Sequence, residues 1–235
     1  MGTRERRERE KDQVRAAILD AARELFVTLG YEGVSMRAIA EKIEYSPTVI
    51  YNYFKDKDAL ILELCQSDFG RLADYMQEAA LLPDPVERLR QCGREYVRFA
   101  LSYPNHYRLM FMTPYPLRAD DPDHQQHKAE AKGNPETDAY AFVTILIQQV
   151  AAAGRLRSPN PNIELIAQTL WAGLHGVISL EIAMGCDKDW TAWQPIEART
   201  EAMLDTFTHG LFAPAATSQP TTPTAEEPVN LKQAH

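Results

Sequence analysis

Three cysteines in 235 residues, Cys65, Cys92 and Cys186, are too few for a disulfide scaffold and read as reduced thiols of a cytosolic protein. Long hydrophobic runs are scarce as well. Gln148, Gln149 and Glu181 interrupt the most apolar stretches, so no segment is expected to reach the ~18 apolar residues of a membrane crossing. The run from Arg4 to Lys11 interleaves Arg with Glu and lacks the apolar centre of a secretory signal. No glycine-rich phosphate loop, Ser/His/Asp or Cys/His arrangement or paired-carboxylate spacing emerges in the apolar second part of the sequence, which weighs against an enzyme. A helical catalyst using His175 and Glu181 would need two residues on different faces of one helix. No cofactor is expected.

Net positive charge is also absent: 25 Lys and Arg against 33 Asp and Glu give −8. That total at first argues against nucleic acid, but its distribution is uneven. The first 60 residues hold 11 basic and 11 acidic side chains, and the remainder holds 14 and 22. The first part is therefore neutral, and the deficit belongs to the rest.

What is present is helical periodicity. Val14, Ile18, Ala21, Ala22, Leu25, Phe26 and Leu29 recur at steps of three and four, and Gly30 offers a stop. Ser35 is a natural cap for a short helix to about Ile43, and Ser46-Pro47 starts a third brief one. Asp56 caps a longer fourth helix through Leu60, Leu64, Leu72, Tyr75 and Met76. Further helices are expected over 86–103, 104–112, 136–153, 163–185 and 196–211, with a loop over 113–135. Pro214, Pro220, Pro223 and Pro228 mark a disordered tail. The class is all-α, with about nine helices.

Two short helices joined by a tight turn form the helix-turn-helix pattern, whose second helix fits a major groove. Ser46, Pro47 and Thr48 would sit on the exposed first turn of that second helix, facing bases. Tyr51, Asn52 and Tyr53 offer uncharged donors to phosphate, Lys55 and Lys57 add charge, and Ser35 and Arg37 can do the same from the preceding helix. The plainer alternative is a small helical subdomain with a polar surface, or an adaptor for another protein. The mixed-charge arm, Arg4 to Lys11, reads as a solvated helical extension in preference to a minor-groove arm.

The run Gly30-Tyr31-Glu32-Gly33-Val34-Ser35-Met36-Arg37-Ala38-Ile39-Ala40, followed by Ser46-Pro47-Thr48-Val49-Ile50-Tyr51-Asn52-Tyr53-Phe54-Lys55-Asp56-Lys57-Asp58-Ala59-Leu60, resembles the tetracycline-repressor (TetR) family of bacterial transcription regulators. The resemblance covers about residues 12 to 64. It departs from the usual pattern at Pro47 and Val49, so no base preference carries over. It implies a charged arm (1–11), a DNA-binding domain (12–56), a helical ligand-binding and dimerisation domain (57–212) and a tail (213–235). It further implies a repressor that binds a near-palindromic double-stranded operator as a homodimer through its last two long helices. Tyr51, Asn52 and Lys57 would contact phosphates.

In the second part, Trp171 and His175 lie one turn apart, with Gly173 and Gly176 permitting close backbone approach. The Trp-x-x-x-His-Gly run resembles the C-terminal domain of one TetR subgroup. Phe99, Tyr103, His106, Tyr107, Met110, Phe111 and Phe142 are candidates to line an effector cavity with Trp171 and His175, or else plain core. Such a lining suits a small hydrophobic or aromatic effector. His124 and His127 beside Asp120, Asp121 and Asp123 have metal-ligand spacing but stand on a loop without preorganised geometry, and no metal is expected. No membrane partner is expected, and the location is cytoplasmic, at the nucleoid.

Overall fold

The computed structural model describes residues 3–114, 132–185 and 191–212. The tail from 213, Cys186, and the histidines and aspartates between 120 and 127 lie outside the described residues. Among the described residues are nine α-helices: α1 (Thr3–Leu29), α2 (Met36–Lys42), α3 (Pro47–Tyr51), α4 (Lys57–Gln77), α5 (Pro85–Ser102), α6 (Pro104–Phe111), α7 (Ala139–Ala152), α8 (Ile163–Met184) and α9 (Ile196–Leu211). A 3-10 turn (Glu78–Leu81) follows α4.

α1 runs eleven residues further back than its apolar stripe. Its first three turns are exposed and are supported by ion pairs one turn apart, Arg4–Glu8 at 3.3 Å and Arg6–Glu10 at 3.1 Å. Gly30, in the left-handed region at φ 71°, ends it as expected. The Ser35 hydroxyl accepts from the Ala38 amide, and the Asp56 carboxylate accepts from the Ala59 amide. Ser46 behaves otherwise. Its side chain makes no capping bond, and α3 starts on Pro47 alone and spans five residues. The α2–α3 turn reverses at Glu44, a non-glycine residue at φ 60°.

Two apolar clusters divide the chain. Ile18, Ala22, Phe26, Ile39, Ile50, Leu60 and Leu64 anchor the first, which also takes Leu109 from α6. The second gathers the rest of α4 with α5 to α9. α4 thus belongs to both, and the expected boundary after residue 56 falls inside the first cluster.

The expectation of no membrane-length apolar run needs correction. α8 is 22 residues long and holds an 18-residue window of mean hydropathy 1.3, of which 28% is buried. Its buried face is Ile166, Ala167, Leu170, Leu174 and Ile178. Leu165, Ala172 and Leu180 on the opposite side are exposed, so its apolarity continues onto a face that this chain does not cover.

Candidate nucleic-acid interface and sensing core

α2 and α3 present their polar residues outward because their apolar ones are locked inward. Ile39, Ala40 and Ile50 have no exposed surface. Ser35, Arg37, Ser46, Pro47, Thr48, Asn52 and Lys55 are exposed, and Tyr51 keeps 55% of its surface open. Tyr53 is half-buried. The Arg37 guanidinium pairs with Glu41 at 2.8 Å, an exposed contact that an incoming phosphate can replace at little cost. Eight of the ten residues expected to meet DNA are therefore open to solvent, and Tyr53 and Lys57 are partly so.

Lys57 is placed differently. Its ammonium donates to the carbonyls of Tyr31 (2.9 Å) and Val34 (3.3 Å) and lies 4.0 Å above the Tyr31 ring. Tyr31 in turn bonds the Asp58 carboxylate. Two of its three donors are spent on tying the start of α4 to the turn after α1, so its main work here is to brace the reader.

Below the reader is a joint that sequence reasoning missed. Arg23 of α1 donates in bidentate fashion to Asp68 of α4, at 3.2 and 3.0 Å, and also to Asp20 at 2.9 Å. Asp68 is 1% exposed and Arg23 7%. His106 of α6, expected in the effector cavity, instead places Nδ1 2.7 Å from the same Asp68 oxygen. As the carboxylate can only accept, the imidazole donates. Three helices thus converge on one carboxylate, spanning both apolar clusters. The only advance signal was an Arg on the apolar side of α1, in step with Leu19 and Phe26.

The remaining candidate sensing residues form two groups. Phe99 and Tyr103 pack with Tyr75 at centroid separations of 5.6 to 6.0 Å. Tyr107, Phe111, Trp171 and His175 pack together with Tyr96, which sequence reasoning did not single out. Met110 and Phe142 are buried core residues. Within the second group a hydrogen-bond chain runs from Trp171 Nε1 to the Tyr96 hydroxyl (3.0 Å), on to the Tyr107 hydroxyl (2.8 Å), and on to His175 Nδ1 (2.6 Å). Indole can only donate, and the arrangement that gives both hydroxyl protons an acceptor within the chain has Tyr96 donating to Tyr107, and Tyr107 to an unprotonated Nδ1. Burial lowers the His175 pKa, favouring the neutral ring this chain requires. Burial also pushes the Tyr96 hydroxyl up to about 12 and the Tyr107 hydroxyl higher still, so both stay protonated.

The two helical glycines differ. A Cβ on Gly173 would fall 1.9 Å from Met203 Cε of α9, so what approaches closely there is the end of a flexible side chain and not the backbone that was expected. One on Gly176 would meet nothing within 4 Å. Glu181, weighed above as a catalytic partner of His175, pairs with Arg199 of α9.

Residues 18–64 match the family model described as bacterial regulatory proteins, tetR family, and residues 89–207 match that of the tetracyclin repressor-like C-terminal domain. The HTH-type transcriptional repressor AcnR of Corynebacterium efficiens is 31% identical over 166 residues, covering 70% of this chain and 80% of that protein. AcnR of Corynebacterium diphtheriae is 29% identical, over 74% and 84%. Among solved structures, the fatty acid degradation regulator FadR from Bacillus halodurans superposes with a TM-score of 0.66 at 18% identity, covering 83% of this chain and 95% of that one. Its likeness is one of fold. The chain belongs to the TetR family of bacterial transcription regulators.

Proposed function

We propose that this regulator is a repressor that binds a near-palindromic operator in the cytoplasm as a homodimer and leaves it when a small hydrophobic or aromatic effector binds. The observation that carries the reading is the α3 face. Ser46, Pro47 and Thr48 stand exposed on its first turn beside Tyr51 and Asn52, over a dry base of Ile39 and Ile50. The first three are placed to meet base edges and the last two to meet phosphates. The name of the AcnR relatives supports repression.

The homodimer is supported by the uncovered sides of α8 and α9. Leu165, Thr169, Ala172, Gly176, Leu180 and Ala183 form one stripe along α8, because steps of three and four return to the same helix face. Ala198, Ala202, Thr206 and His209 do so along α9, all exposed. A second copy presenting the same small-residue faces would pack closely by two-fold symmetry.

The effector would act on the aromatic group. Rings that fill one another's space leave an apolar guest only the option of parting them, and Trp171, at 43% exposure, is the way in. Displacement of Phe111 or Tyr107 would move α6, and His106 and Leu109 on α6 bear on Asp68 and the reader core. Effector and operator then oppose each other by equal factors.

The test is fluorescence anisotropy with the DNA upstream of the protein's own coding sequence. Thr48→Ala should weaken binding about 10-fold and Tyr51→Phe about 5-fold, in the range of one lost contact, with melting temperatures unchanged because both side chains are exposed. Parent-like affinity in both variants would contradict the placement of α3 on DNA. Lys57→Ala is a poor probe, since it also removes the brace on Tyr31 and Val34.

A further inference from the structure

The exposed start of α1 carries a charge arrangement that the reader helices do not account for. Arg4 is held by Glu8 and Arg6 by Glu10, and Arg9 donates to the Glu5 carbonyl. Arg7 and Lys11, both exposed, have no hydrogen bond, ion pair or ring contact among the described residues. They stand one turn apart on the same side of the helix. Lys11 lines an open groove whose far wall is Asn52 and Tyr53, just beyond α3. Arg15, on the same wall as Lys11, is held in place by Glu63 and by the Phe54 ring beneath it at 5.4 Å.

We propose that the N-terminal extension of α1 is a second DNA-backbone clamp, in which Arg7 and Lys11 hold phosphates next to those met by Tyr51 and Asn52. The proposal rests on the reading of α3 as the DNA-facing helix. The acids of the arm are what make it selective about its own cations. Glu8 and Glu10 neutralise Arg4 and Arg6 and leave Lys11 free in the groove beside α3 and Arg7 free one turn before it. Glu8 and Asp12 line the groove too, and Asp12 has no partner among the described residues; it opposes the clamp and moderates it. The occupant is phosphate of the same duplex, so the contact adds affinity without sequence preference. In a dimer the two arms lengthen the contact outward on both half-sites.

The experiment measures the affinity of the full chain for its selected operator and for a scrambled duplex across a series of salt concentrations. Arg7→Gln with Lys11→Gln should weaken both DNAs about equally. It should also flatten the log–log salt slope by about 3 to 4, from ~0.9 per lost phosphate contact in two arms. Asp12→Asn should tighten binding to both. Arg4→Gln with Arg6→Gln, which removes the same charge from residues already paired, should change the slope by less than about 1. Unchanged binding in Arg7→Gln/Lys11→Gln, with a parent chain that still selects its operator, would overturn the clamp and leave the α3 reading standing. An equal loss in the Arg4/Arg6 pair would overturn it as well, by showing a diffuse field in place of a site. A parent chain that selects no DNA would remove the reading on which the clamp depends.

Discussion

Tyr107 shows how much one side chain can hold in the sensing half. Its hydroxyl accepts from Tyr96 and donates to His175, and its ring packs against Tyr96, Phe111 and His175. Tyr107→Phe keeps the ring but strands a buried hydroxyl on Tyr96 and the Nδ1 of His175. It should cost about 1 to 3 kcal/mol in chemical denaturation; a stability equal to the parent's would mean that the chain of bonds carries no load. The same chain makes a statement about pH. His175 titrates below its ordinary value because burial disfavours its charge. Between the folded pKa and the unfolded value of about 6.5, the unfolded chain binds the extra proton. This contribution is therefore complete above pH 6.5 and is lost as pH falls through that value towards the folded pKa. Melting temperature should drop more steeply below pH 6.5 in the parent than in His175→Gln. Spacing put Trp171 and His175 on one face of a helix and composition grouped Tyr107 with them, but nothing pointed to Tyr96 or to the bonds between them, because that link crosses from α5 and α6.

The elements meet at Asp68. An Arg–carboxylate–His cluster buried between α1, α4 and α6 is costly to break from one side, since the remaining charge has no water to turn to. Asp68→Asn should destabilise by about 3 kcal/mol or more, read by denaturant unfolding. Replacing both charges, Arg23→Met with Asp68→Leu, should recover most of that loss while weakening the effect of effector on DNA affinity. If the double variant still released DNA as the parent does, communication would not run through this joint. Helix existence was legible from period and caps: α9 spans Ile196–Leu211 as expected, and Ser35 and Asp56 cap as expected. The brevity of α3 was legible, but its end at Tyr51 was not, because the turn after Tyr51 continues helix-like bonds through Phe54 under a sequence that reads as helix. Nor was the Glu44 turn, where the left-handed residue is not a glycine. His106 was misplaced for a related reason: its neighbours Tyr103 and Tyr107 point to an aromatic cavity, whereas a partner 38 residues away on another helix decides its role.

For the whole molecule, the face left open on α8 and α9 and the reader at the other end of the chain have to be explained together. An apolar helix with only 28% of its most hydrophobic window buried offers a face that the proposed second copy would cover. Leu165→Glu with Leu180→Glu should convert a dimer into a monomer in sedimentation velocity and lower operator affinity by 100-fold or more, as each half-site then binds alone. A dimer that survived both charges would move the interface elsewhere. The −8 net charge has a definite meaning at this scale. It resides outside the first 60 residues, so non-specific affinity should be modest and specificity should come from a few placed side chains, in two copies if the chain dimerises as proposed. The most direct test is to let the full chain select duplexes from a random pool and to sequence what it retains. Two inverted half-sites with centres a whole number of helical turns apart, lost together in Thr48→Ala/Tyr51→Phe, are the predicted result. A pool left unenriched, or enriched equally by that double variant, would contradict it.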